Sequence, residues 1–189
     1  MRDVLHKIAL VLTVVAGTVC ASGCMRTTVR DDVLAFSLTD LDGRPVSLSD
    51  ERFAGKVVLV ELWGTWCPPC IAQMPHLIGW QETYRDRGFE IIAIEFASFI
   101  SGPKEEYDAG LKGYIEKKGV NYTVVQAGET TDVFDVLPTL ENFRGFPTSI
   151  FIGRDGIVKH VKSGFHKSET SYYERTIEEL LEGPDAPPN

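Results

Sequence analysis

Basic residues are in short supply: 19 Lys and Arg stand against 27 Asp and Glu, for a formal net charge of −8 over 189 residues. Gripping a nucleic-acid backbone takes a cationic face, so no nucleic-acid partner is expected. Cysteine is scarce as well, with four in the sequence, too few for a small domain stapled by disulfides. Apolar runs are short. Ile8 to Val19 spans 12 residues, whereas a membrane-crossing helix needs about 20, which makes a permanent spanning anchor the weaker reading. No internal repeat is visible. What is present, 43% apolar and 24% charged residues, excludes a disordered, collagenous or coiled-coil chain. The length suits one ordinary domain with appendages.

The cysteines fall as two local pairs, at positions 20 and 24 and at positions 67 and 70. The first pair closes a leader. A short basic start with Arg2 and Lys7 precedes the apolar run, and small residues Ala21-Ser22-Gly23 lead into Cys24, the shape of an export signal over residues 1–23. Ala21-Ser22-Gly23-Cys24 resembles a bacterial lipobox, in which the chain is cut before the cysteine and the thiol is acylated; Ala21 stands where Leu is usual. Acyl chains insert at about 0.8 kcal/mol per buried CH₂, so lipidation of Cys24 would hold the domain at a membrane surface. Soluble export after cleavage near Ala21 or Gly23 is the alternative. Without residues 1–23 the chain keeps 17 basic and 26 acidic side chains, a net of −9.

Residues 24–32 lack apolar periodicity and read as a lipid-anchor and tether segment. The domain is expected over 33–182, and 183–189 (GPDAPPN) reads as a disordered tail. Phe36 to Thr39 and Pro45 to Leu48 alternate on either side of Asp42-Gly43, a hairpin signal. Lys56 to Trp63 and Phe89 to Phe96 are β-branched-rich runs, suited to strands covered on both faces. Cys70 to Arg87, ended by Gly88, and Glu105 to Lys118, ended by Gly119, read as helices. Tyr122 to Gln126 is a candidate short strand. Ser149 to Ile152 and Ile157 to Lys162 form a second hairpin around Asp155-Gly156. A last helix, capped by Ser168, runs to Leu181 with Tyr173, Ile177 and Leu180 spaced for burial. The stretch Ala127 to Phe143 has no clear period; a client-facing loop and an unbounded helix both fit it. Together these elements give an α/β fold with a mixed sheet.

Chemistry concentrates at Trp66-Cys67-Pro68-Pro69-Cys70. Two thiols three positions apart at a strand-to-helix junction can close a disulfide without rearranging the backbone. Cys67, at the helix N-terminus and expected to be exposed, meets the partial positive charge that favours a thiolate, so it is the expected nucleophile and Cys70 the resolving thiol. Pro68 and Pro69 are tolerated in a first helical turn. They also remove two amide donors from the Cys67 thiolate, which favours a reductant over a strong oxidant. CxxC also occurs as half of a zinc site. Here there is no second CxxC, and His76, His160 and His166 form no ligand doublet, so neither metal nor other cofactor is expected. Glu61, inside an apolar strand six residues before Cys67, should have a raised pKa if buried. Glu95, at the end of the next strand, is a candidate at the carboxyl edge where open α/β sheets gather ligands; a solvated strand end is its alternative. Trp63 reads as core, Trp66 as an exposed client contact.

Gly55-Lys56-Val57-Val58-Leu59-Val60, Trp63 to Cys70, Met74-Pro75, and Gly145-Phe146-Pro147-Thr148 before Asp155-Gly156 together resemble the thioredoxin superfamily, specifically its exported, membrane-tethered TlpA/ResA-like members. The resemblance covers nearly all of residues 33–182. It implies a thioredoxin fold, a central mixed sheet flanked by helices, with an added N-terminal β-hairpin. It also implies thiol–disulfide exchange with exported client proteins, a membrane thiol reductase upstream, and a monomer. Some members reduce apocytochrome c or copper-protein thiols. Glu61 then occupies the place of the buried acid beneath the resolving cysteine, a general base toward Cys70. Pro147 is expected in cis and, together with Phe146, Thr148, Trp66 and Glu95, in contact with the client. Two other functions fit the thiols less well. A copper or haem-handling chaperone would use them as soft ligands but lacks a nearby third ligand. Peroxide reduction would need more around Thr65 than the sequence shows.

Overall fold

A computed structural model describes residues 26–183; the leader, Cys24 and tail residues 184–189 lie outside it. Val57–Trp63 (β4) and Phe89–Ala97 (β5) are buried along nearly their whole length, because apolar residues occupy both faces of each. They pair in parallel, Thr123–Glu129 (β6) adds a third parallel strand, Thr148–Ile152 (β8) runs antiparallel to β4, and Val158–Ser163 (β9) runs antiparallel to β8. The five-stranded order is β6-β5-β4-β8-β9. Alternate residues then face opposite sides. Val57, Leu59, Phe89 and Ile91 meet Leu77, Trp80, Tyr173 and Ile177 from the helices Pro68–Tyr84 (α1) and Thr170–Leu181 (α4). Leu111 of Lys104–Lys118 (α2) joins Trp63, Met74 and Ala93. On the other face, Val58, Val60, Leu62, Ile92 and Ile94 pack against Phe36, Val46, Phe53, Val133 and Leu137.

The first hairpin is present but short, Leu38–Thr39 (β2) with Pro45–Val46 (β3). The tether reading fails for residues 27–32. Thr28–Val29 (β1) pairs with Leu140–Glu141 (β7), Arg30 pairs with Glu141 at 2.9 Å, and Val29 is buried. A two-residue strand is too short to show a period, so the sequence could not announce it. The unread stretch resolves likewise into the end of β6, a 3₁₀ turn at Thr130–Asp132, the single-turn helix Val133–Val136 (α3) and β7. Its turn is locked by a reciprocal capping box between Glu129 and Asp132.

Helix ends also differ from expectation. α1 begins at Pro68 and passes at Tyr84 into a 3₁₀ turn, Arg85–Arg87, closed by Gly88. Ser168 does not cap α4. It sits inside a 3₁₀ turn, Lys167–Glu169, where its amide donates to Nδ1 of His166, the residue that caps the turn. Leu181 is buried in the core as well, and Leu180 packs partly buried against it. No helix among the described residues is long and apolar enough to cross a membrane.

Candidate active site

Cys67 is the N-cap of α1, and its Sγ accepts from the Cys70 amide at 3.4 Å. With Pro68 and Pro69 in the two intervening positions, this amide is the first in the helix able to donate to it. The two cysteines are joined as a disulfide, Cα to Cα 5.3 Å, as i and i+3 neighbours on one helix face allow. Cys67 is not exposed as expected. Both residues are 3% accessible, because they pack with Trp63, Met74 and Ala93 and against Phe146.

Trp66 stands over this cluster, 43% exposed. Its indole Nε1 donates to the Phe96 carbonyl at 2.9 Å, and its ring meets Phe146 edge-on at 5.5 Å. The loop can approach β5 this closely only because residue 64 is glycine. A Cβ there would lie 2.8 Å from the Phe96 carbonyl oxygen and collide with the indole itself. Gly64→Ala should therefore lose the Trp66–Phe96 hydrogen bond, shift the tryptophan emission to longer wavelength and cost about 1–3 kcal/mol of stability; an unchanged spectrum and unfolding midpoint would refute this.

The Phe146–Pro147 peptide is cis. The Gly164 amide donates to the Pro147 carbonyl at 2.7 Å, tying this loop to the end of β9. Thr148 is fully buried, its hydroxyl on the Gly145 carbonyl at 2.7 Å, so its side chain presents nothing to a client. Of the five expected client contacts, Trp66 and Phe146 reach the surface, while Pro147, Thr148 and Glu95 are buried.

Glu61 is 1% exposed, not on a solvated part of the sheet. Opposite it on β8 lies Ser149, whose hydroxyl donates to Oε2 at 2.5 Å, and Gln73 donates from 3.3 Å. Gln73 is one turn along α1 from Cys70 and shares its buried face. Burial pushes the Glu61 pKa up to about 8, against the pull of these two hydrogen bonds. Its Oε1 and the Gln73 Oε1 have no partner, an arrangement that a proton on Glu61 relieves. Tyr173 closes the cluster from α4, 3.3 Å from the Ser149 hydroxyl. Ser149, Gln73 and Tyr173 were not expected here, and Gln73 left a trace: a polar residue at a helical position that the period assigns to the core.

Glu95 is fully buried, so the solvated strand end is not what the fold gives it. It lies beside Trp63 in register, accepts from the Tyr107 hydroxyl of α2 at 2.9 Å and has Oε2 unpartnered. Burial raises its pKa to about 7 despite the hydrogen bond from Tyr107. Two buried acids, Glu61 and Glu95, thus flank the loop that carries the disulfide.

The Redoxin family model matches residues 28–179. The thiol-disulfide oxidoreductase ResA of Bacillus thuringiensis subsp. konkukian is 30% identical over 145 residues, 75% of this chain and 74% of the relative. That of Geobacillus kaustophilus is 32% identical over 145 residues, 77% and 74%. Among solved structures, a thioredoxin-family thiol:disulfide interchange protein from Chlorobium tepidum superposes with a TM-score of 0.62 at 26% identity, covering 83% of this chain and 98% of that one. A secreted thiol-disulfide isomerase from Corynebacterium glutamicum, at 16% identity and a TM-score of 0.68 over 86% of this chain and 96% of its own, shares the fold. The disulfide across the first turn of α1 is the pair that such enzymes exchange, and the chain belongs to the Redoxin family as a TlpA/ResA-like thioredoxin whose reaction is thiol–disulfide exchange.

Proposed function

We propose that this oxidoreductase works outside the cytoplasm, held at a membrane by acylated Cys24, and reduces disulfides of exported client proteins. The observation that carries the direction is the start of α1. Two prolines leave the Cys67 sulfur a single helix amide, so its thiolate is weakly stabilised, and a weakly stabilised dithiol is a better reductant.

In the reduced protein the Cys67 thiolate attacks one sulfur of the client disulfide. A mixed disulfide forms and the client's other sulfur leaves as a thiolate. Glu61 takes the proton of Cys70, directly or through one water, and the Cys70 thiolate attacks Sγ of Cys67. The client's second thiolate leaves, and the Cys67–Cys70 disulfide remains. Two electrons have passed to the client, and a membrane thiol reductase must return them. Trp66 and the Phe146 backbone form the surface on which the client chain lies, while buried Glu95 supports the Thr65-Trp66 loop from beneath.

The test is the reduction potential of the pair, titrated against thiol buffers in the chain from Met25 onward, with alkylation and intact mass as the readout. A value near or below about −270 mV is expected. A value approaching about −120 mV would make the protein a disulfide donor and overturn the direction proposed.

A further inference from the structure

Among the described residues, four large apolar side chains are exposed: Val33, Trp66, Phe99 and Phe134. Two of these are the ends of one connected line of rings. Phe134 on α3, 55% exposed, meets Phe143 edge-on at 6.5 Å. Phe143 meets Phe146 at 5.0 Å, and Phe146 meets Trp66 at 5.5 Å. The line therefore leaves the disulfide at Trp66 and runs out along the segment that follows β6. Nothing in the core requires Phe134 at its outer end. The segment is held rigid by the capping box of its first turn and by the pairing of β7 with β1, so the rings are pre-placed and little ordering is needed when something covers them.

We propose that Phe134, Phe143, Phe146 and Trp66 form a docking strip for the client polypeptide flanking the cysteine under attack, and that the strip selects aliphatic or aromatic side chains there. The proposal rests on the oxidoreductase reading, because a client that reaches Cys67 must lie across Trp66 and Phe146, where the strip begins. Its three ring-to-ring steps span at most about 17 Å, the reach of about five residues of extended chain. Selection should accordingly be felt within about five residues of the client cysteine and not beyond. Aromatic rings suit this task because each offers a large rigid surface to side chains of varied shape.

The probes are short synthetic peptides carrying one cysteine in mixed disulfide with glutathione, flanked either by Leu and Phe or by Ser and Gly, with glutathione disulfide as a third substrate. The reduced protein is expected to have a kcat/KM at least about tenfold higher for the apolar-flanked peptide. Phe134→Ala should remove most of that preference, leaving the Ser/Gly peptide, glutathione disulfide and the reduction potential unchanged, and Phe134→Leu should restore much of it. Equal rates on the two peptides, or a preference untouched by Phe134→Ala, would overturn the proposal. So would a wild-type dimer that Phe134→Ala dissociates without any peptide preference, since the strip would then join two copies. Failure to reduce any of the three substrates would strike the oxidoreductase reading itself, and the docking proposal with it.

Discussion

Cys67→Ser should reduce exchange with any disulfide to the background rate, a loss of at least about 10³-fold, because no other thiol sits at the head of α1 to begin the attack. Cys70→Ser should behave differently. Its first half-reaction survives, and the protein accumulates as a mixed disulfide on Cys67, visible by intact mass as an adduct of one client chain that a thiol reagent releases. The roles follow from position: Cys67 is the N-cap and Cys70 lies one turn inside. If Cys70→Ser trapped nothing while Cys67→Ser trapped clients, the assignment of nucleophile and resolver would be reversed. If neither trapped and neither lost activity, the thiols would not be the redox centre. Both residues are packed in the same cluster, so the oxidised wild type and both variants should be compared by unfolding before rates are interpreted.

The second large effect is that of Glu61→Gln. Removing the proposed base should slow resolution of the mixed disulfide by about 10²-fold near pH 8, where Glu61 is ionised in half the molecules, and the deficit should shrink at higher pH as alkaline solvent deprotonates Cys70 unaided. Stability should change in the opposite sense. In the folded protein burial holds the Glu61 proton up to about pH 8, against an ordinary value of 4.5. Between these values the native state binds more protons than the unfolded chain, so wild-type stability is greatest below the lower value. It falls as pH rises through the window and levels off above about 8. The loss across the window is on the order of a few kcal/mol. Glu61→Gln stays neutral and keeps an oxygen for the Ser149 hydroxyl, so it should lose most of this slope and be the more stable protein at alkaline pH. A smaller slope should persist from Glu95, whose pKa is raised to about 7. Urea unfolding of the oxidised proteins at several pH values reads this directly, and parallel curves for wild type and variant would refute the burial argument. Slow resolution without a changed pH dependence would mean that glutamine disturbs packing and that Glu61 is no base.

Much of the architecture was legible because it rests on long periodic runs. β4 and β5 are nearly continuous apolar stretches that suit a sheet covered on both faces, and Gly88 and Gly119, at φ +86 and +70, close the turn after α1 and the end of α2 as expected. The short elements were not legible. β1 and β7 are two residues each and exist because they pair with one another across more than a hundred positions. The cap of the turn before α4 is a histidine nitrogen, which no simple capping preference favours.

By itself the sequence determined the redox-active thiols and singled out Glu61: the Cys-Pro-Pro-Cys spacing, the helix that must follow it and a lone carboxyl in an apolar strand are local facts, complete within a dozen residues. Only the tertiary structure decided what surrounds them. It buried Cys67 under Phe146, sealed Glu95 beneath Tyr107, placed Ser149 and Gln73 on Glu61, and lined Phe134 up with Trp66. Each of these joins elements distant in the chain, and such contacts are set by which strands become neighbours and which faces they share. The hydrophobic pattern specifies that a residue is inside; it does not specify what the residue meets there.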